Sequence, residues 1–137
     1  MFNNNYRYKD AGLLALRVGI GFMFILHGFP KMLGGKEKWI QLGEAMRVFG
    51  IDQYPEVWGY MAAFAELVGG ILLIFGLLHR GVCFLLFFTM IVAAAKHLAV
   101  GDGILGSSHA IESAVLFFSL MFIGPGRISV DQVIFGK

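Results

Sequence analysis

Four apolar stretches constrain this chain more than any other feature. They fall at about residues 11–32, 57–78, 81–100 and 108–123. The first holds roughly 22 residues, which at about 1.5 Å each make a helix of about 33 Å. That is enough to cross a hydrocarbon core of about 30 Å. It is too long for the apolar core of a secretory signal and lacks a clean small-residue cleavage site. The expected fold is therefore an all-α membrane protein, with a single domain over residues 1–137 forming a four-helix transmembrane bundle. The fourth run is short, and Ile104 and Leu105 are expected to dip into the membrane ahead of it.

Composition supports lipid as the outer solvent. Hydrophobic residues make up 58% and charged residues 15%, against about 45–50% and about 25% in soluble domains. The long polar connection after the first run carries Trp39, Leu42, Met46 and Phe49 at helical spacing. This predicts a short amphipathic helix over about 38–49, lying at the membrane interface. Pro55 suits the first turn of the second span. Short turns are expected at 79–81 and 101–107.

Four crossings put both termini and the His79–Arg80 turn on one side, termed side A. The long first connection and the turn at 101–107 lie on side B. Lys and Arg number five on each side (7, 9, 80, 127 and 137 against 31, 36, 38, 47 and 96), so the positive-inside count does not orient the chain. A net charge of +2 with no basic block argues against nucleic-acid binding. The single Cys83 excludes an internal disulfide or a C-x-x-C relay and reads as a packing residue. His79, in a turn beside Arg80, reads as solvated.

Ionisable groups in hydrocarbon are costly and usually face a bundle interior. Arg17 lies about two turns in from side A. Glu66 lies near the middle of the second span, flanked by Ala62, Ala63, Gly69 and Gly70, the small residues of a close-packing face. His27, Lys96 with His97, and His109 with Glu112 lie towards side B, and Ser119 lies two turns below Glu112 on its face. Three readings fit this set. One is a buried ion-pair network, Arg17 to Glu66 and Lys96 or His97 to Glu112, that fixes helix register. The second is a polar pocket around His27, Glu66, His97 and Glu112, with Arg17 on its side-A flank. Lys96, His109 and Ser119 are further lining candidates, and the ligand would be a quinone ring or small amphiphile. The third is a metal site from His27, Glu66, His97, His109 and Glu112. It is the least favoured, because bundle-core metal sites use paired Glu-x-x-His motifs and the chain has a single His109-x-x-Glu112 running the other way.

At these residues the chain resembles the DoxX family of small bacterial membrane proteins, over about residues 12–134. Leu16-Arg17-Val18-Gly19 and His27-Gly28-Phe29-Pro30-Lys31 look like the family's L-R-x-x-x-G and H-G-x-x-K. Glu66-Leu67-Val68-Gly69-Gly70 and Gly76-Leu77-Leu78-His79-Arg80 are similar to E-x-x-G-G and G-L-x-x-R. Residues 124–131 look like the closing G-P-G-R-x-S-x-D, and His97 and Glu112 fall where the pattern has a His and a Glu. The resemblance implies a four-helix domain in the bacterial inner membrane with cytoplasmic termini. It also implies a link to quinol-oxidising, sulfur or oxidative-stress redox systems.

Together these give two expectations for function. The first is a membrane subunit of a redox system that binds a quinone-like molecule. His27, His97 and Glu112 would exchange protons with the ring oxygens, and Glu66 with Arg17 would form the floor. No haem, flavin or iron–sulfur motif is visible, so a partner protein or bound cofactor would carry electrons. The second is a non-catalytic protein that binds or moves a small amphiphile, or scaffolds a partner.

Overall fold

Every regular element is helical in the computed structural model, which describes residues 7–136. Residues 1–6 and Lys137, assigned from sequence to the side-A termini, lie outside the described residues. The elements are α1 (Lys9–Leu33), α2 (Gly35–Gly43), a 3-10 segment (Glu44–Phe49), α3 (Pro55–Phe75), α4 (His79–Ala99), α5 (Gly103–Gly106), α6 (Ser108–Ile123) and α7 (Val130–Phe135). Helices α1, α3 and α4 are long and apolar enough to cross a membrane; α6 is apolar but has only 16 residues.

Local chemistry sets the helix ends. α1 continues through Pro30 to Leu33, although Pro30 offers no N–H to the Leu26 carbonyl. The break comes afterwards, where Gly35 takes φ +74°. Pro55 opens α3 in its first turn. α3 stops at Gly76 (φ +65°), whose N–H bonds the Leu73 carbonyl while Leu77 bonds Leu72, the paired closure that a left-handed glycine permits. Leu78 then takes φ +50° without the freedom of glycine. Asp131 holds it there by accepting the N–H groups of Leu78 and His79, both at 2.8 Å.

α1 lies antiparallel to α3 with backbones in close approach. A Cβ placed on Gly21 would sit 2.6 Å from the Gly70 carbonyl oxygen, and one on Gly70 would sit 2.7 Å from that of Gly21. α2 prolongs this pairing along the first turns of α3, where Gly43 lies against the Pro55 backbone and Gly59 against that of Trp39. The amphipathic segment expected over 38–49 is thus two pieces, an α-helix to Gly43 and a 3-10 helix from Glu44. Trp39 turns inward: its indole N–H donates to the Lys31 carbonyl at 3.1 Å, and its ring meets Tyr60 edge-on at 5.0 Å.

α4 packs against α6 and α3. Phe24, Leu73, Leu86, Met90, Phe117 and Leu120 anchor the buried cluster. Gly69 faces Leu86 of α4, while Gly70 faces α1. Large apolar side chains also cover the outside: Phe22, Phe64, Phe88, Val115 and Phe122 are all exposed. An apolar exterior of this extent belongs in lipid, and the protein is a multi-pass membrane protein.

Candidate functional site

The register of α1 on α3 decides which polar groups can meet. Arg17 donates from Nη1 to the Ile74 carbonyl at 3.3 Å, and Gly21 faces Gly70. Glu66 therefore stands level with Gly28, whose Cα faces the Glu66–Leu67 backbone. It lies eight residues from Ile74, about 12 Å along the helix. The Arg17–Glu66 pair expected as a register-fixing bridge does not form. Glu66 is buried and instead receives Lys31 Nζ on both oxygens, at 2.8 and 2.9 Å. Lys31 is held twice, through its side chain by Glu66 and through its carbonyl by Trp39. In the sequence Lys31 figures only in the H-G-x-x-K resemblance and the side-B charge count, not among the site candidates. The available signal was its place four residues after His27, on the same helical face.

A second contact closes α1 against α6. The rings of His27 and His109 stack at 5.5 Å between centroids and 22° between planes, with Phe24 beside both. His27 Nδ1 lies 2.7 Å from the Met23 carbonyl. A carbonyl only accepts, so Nδ1 carries the proton, and Nε2 of the neutral ring is left with a lone pair. Both imidazoles are exposed.

The remaining candidates do not join these pairs. His97, also exposed, is bonded through Nδ1 to Asp102 Oδ2 at 2.6 Å, clipping the end of α4 to the following turn. Glu112 is exposed and forms no ion pair among the described residues, so neither Lys96 nor His97 bridges to it. Lys96 is half-buried. Ser119 is exposed and bonds back to the Val115 carbonyl at 2.8 Å. Among the described residues, no three His, Cys, Asp or Glu side chains gather closely enough for a metal ion. His27 and His109 share one contact, while Glu66 is taken by Lys31 and His97 by Asp102.

The side-A end is built differently. Arg17 is fully buried and also donates from Nη2 to the Ile128 carbonyl. Ser129 caps α7, its hydroxyl donating to Gly126 O at 2.8 Å and accepting from Gln132 N at 3.3 Å. Asp131 N donates to the Gly76 carbonyl at 3.0 Å, and Asp10 accepts the Arg127 N–H at 2.9 Å. His79, expected to be solvated, is instead fully buried, with Nε2 3.2 Å from the Leu120 carbonyl and 3.6 Å from Cys83 Sγ. The reason is that the ring packs against the end of α6 at Leu120 while Asp131, from the returning segment 124–135, takes its backbone N–H. Beside this clasp lies a cavity of about 1020 Å³ bordered by α1, α4, the end of α6 and α7.

The motif pieces at 16–21, 27–31, 66–70, 76–80 and 124–131 thus meet one another in space. An uncharacterised protein of Haemophilus influenzae is 31% identical over 98% of this chain and 99% of its own length. Inner membrane protein YphA of Escherichia coli is 30% identical over 94% and 99%. CatD of Bacillus subtilis, provisionally named an oxidoreductase, is 36% identical over 61% of this chain and 58% of its own. No solved structure matches the chain. The full-length likeness to an inner membrane protein puts this chain in the bacterial inner membrane, and with the DoxX model matching residues 12–99, the chain belongs to the DoxX family.

Proposed function

We propose that this protein is a four-span, single-domain inner-membrane subunit of a redox system that binds a quinone-like ring against α1 and α6. In this reading α6 completes the bundle as the fourth crossing with α5 ahead of it, the 3-10 segment rests at the interface, and the termini are cytoplasmic. The observation that carries the reading is the His27–His109 stack. Two exposed imidazoles beside Phe24, one with its Nε2 uncommitted, fit a flat ring with oxygens on its edge. Imidazole is also the side chain that exchanges protons near neutral pH. The provisional naming of CatD as an oxidoreductase agrees in class.

A bound quinone would supply two-electron, two-proton chemistry. The chain's own residues have narrower tasks. His27 Nε2 accepts or returns a proton at the ring oxygen, and Nδ1–H···O=C of Met23 fixes the imidazole's tautomer and tilt. Lys31, one turn further along α1 towards side B, and Glu66 facing it on α3 form a charge-balanced pair beside the stack. Glu112, three residues after His109 and so one turn further from side B, is a second proton-holding group on the same face of α6. Electrons leave to a partner protein.

The test is organic extraction and mass spectrometry of gently purified protein, followed by turnover with a supplied quinol and an artificial acceptor. A co-purifying quinone that disappears in His27→Ala, with turnover lost alongside, supports the reading. A lipid-like occupant without turnover selects the non-catalytic amphiphile binder instead.

A further inference from the structure

The cavity at the side-A end is separate from the His27–His109 contact, and its lining has a definite chemistry. Its carboxylates, Asp131 and Asp10, are already engaged: Asp131 accepts from Leu78 and His79 N–H, and Asp10 accepts from Arg127 N–H. Three cations on its wall, Lys9, Arg80 and Arg127, are exposed and form no ion pair among the described residues. Its other walls are apolar, from Leu13, Ile134 and Phe135, and the last two are exposed. Buried His79 also lines it, and the ring's Nδ1 has no hydrogen-bond partner.

Position narrows the ligand. The cavity lies where α1 and α4 begin and α6 ends, so it sits where membrane helices meet the headgroup layer. Cations at that level attract phosphate, and apolar walls beside them accept the first methylenes of acyl chains. A water-borne phosphate would need the cations and gain nothing from Ile134 and Phe135. At about 1020 Å³ the space is at the upper end of small-molecule pockets, large enough for a phosphoglycerol headgroup and the start of its chains.

The geometry points to a binding site for the headgroup of an anionic phospholipid in the side-A leaflet, with Arg80, Arg127 and Lys9 on the phosphate and Leu13, Ile134 and Phe135 along the chains. The full chain is purified in neutral detergent and offered equal amounts of phosphatidylglycerol and phosphatidylcholine of the same acyl chains, and retained lipid is read by native mass spectrometry. Phosphatidylglycerol is retained in preference. Arg80→Gln with Arg127→Gln lowers its retention on the order of tenfold, and Lys9→Gln lowers it less. Excess inorganic phosphate does not displace it. Equal retention of the two lipids overturns the proposal. So does undiminished retention in the double variant or, should that variant fail to fold, in Lys9→Gln. Displacement by inorganic phosphate would show a site for free phosphate instead.

Discussion

The two ends of the helices accommodate polar groups by opposite means. At side A, Arg17, Asp131 and Asp10 each bond backbone groups contributed by segments distant in the chain. Towards side B most contacts run between side chains, Lys31 with Glu66, His27 with His109 and His97 with Asp102, alongside the single bond from the Trp39 indole to the Lys31 carbonyl. A side chain bonded to backbone fixes where the chain goes, and removing it strands carbonyls or amides that cannot move away. A side chain bonded to another side chain leaves the backbone path intact when it is removed. The side-A set is thus expected to govern folding, and the side-B set to govern chemistry.

The largest effect that tests this division is Arg17→Ala. The change empties a fully buried site and leaves the Ile74 and Ile128 carbonyls without the guanidinium. Ile128 is 51% exposed, so the cost of about 1–3 kcal/mol for an unsatisfied buried group falls chiefly on Ile74, and the cavity adds to it. A loss of about 3–5 kcal/mol is expected, measured by unfolding in mixed micelles, with the segment around 124–135 becoming protease-sensitive. A variant as stable as the parent would break the comparison at its strongest point.

Gly70→Leu comes next. A side chain there meets the Gly21 carbonyl, which is backbone and cannot rotate aside. Overpacking of this kind costs about 1–3 kcal/mol, and thermal melts in detergent should show it at the upper end. The Lys31–Glu66 pair falls lower. Glu66→Gln leaves Lys31 without its counter-charge, but Lys31 is 28% exposed in its side chain and its flexible stem can carry the charge to water. About 1–2 kcal/mol is expected, below the roughly 3–5 kcal/mol of a fully buried broken pair. Lys31→Met combined with Glu66→Gln should cost less than the two single losses added together, and strict additivity would show that the pair does not couple.

How much of this was legible in the sequence differs by region. The long apolar helices follow from run length, and Glu66 with its glycine face follows from small residues at helical spacing. The partner of Glu66 did not, because depth was counted from the ends of apolar runs. α1 starts at Lys9 and its first turns project past the end of α3 at Phe75, so Arg17 meets Ile74 and the 124–135 segment rather than Glu66. No composition signal reports such an offset between two helices. His79 was misjudged for a related reason: a turn residue reads as solvated until distant segments pack against it, and Leu120 lies 41 and Asp131 52 residues away. The motif S-x-D at 129–131 was visible, but its job of capping α7 and restraining Leu78 needs three-dimensional contacts to read.

The smallest expected change in stability belongs to His27→Ala, and this sharpens the comparison most. The His27 side chain is exposed, its one hydrogen bond runs to a carbonyl within its own helix, and its ring contacts are with His109 and Phe24. The Met23 carbonyl keeps its place in the backbone ladder, since its i+4 amide at His27 is unchanged by truncation. Losing a stacked pair costs about 0.5–1.5 kcal/mol, at the low end here because solvent or lipid already reaches the ring. The helix gains slightly from Ala, so a net change of about 0–1 kcal/mol is expected in a melt. Ligand retention and proton-coupled turnover should fall sharply in the same sample if His27 contacts the ring, and His109→Ala should share the phenotype because each imidazole forms one face of the contact. His97→Ala serves as the control, since its bond to Asp102 is a local clip between exposed groups worth about 0–1 kcal/mol. If His27→Ala destabilises the protein as much as Arg17→Ala, the stack is structural and the two ends are alike. If His27→Ala and His97→Ala lower turnover equally, the chemistry is not confined to the α1–α6 contact.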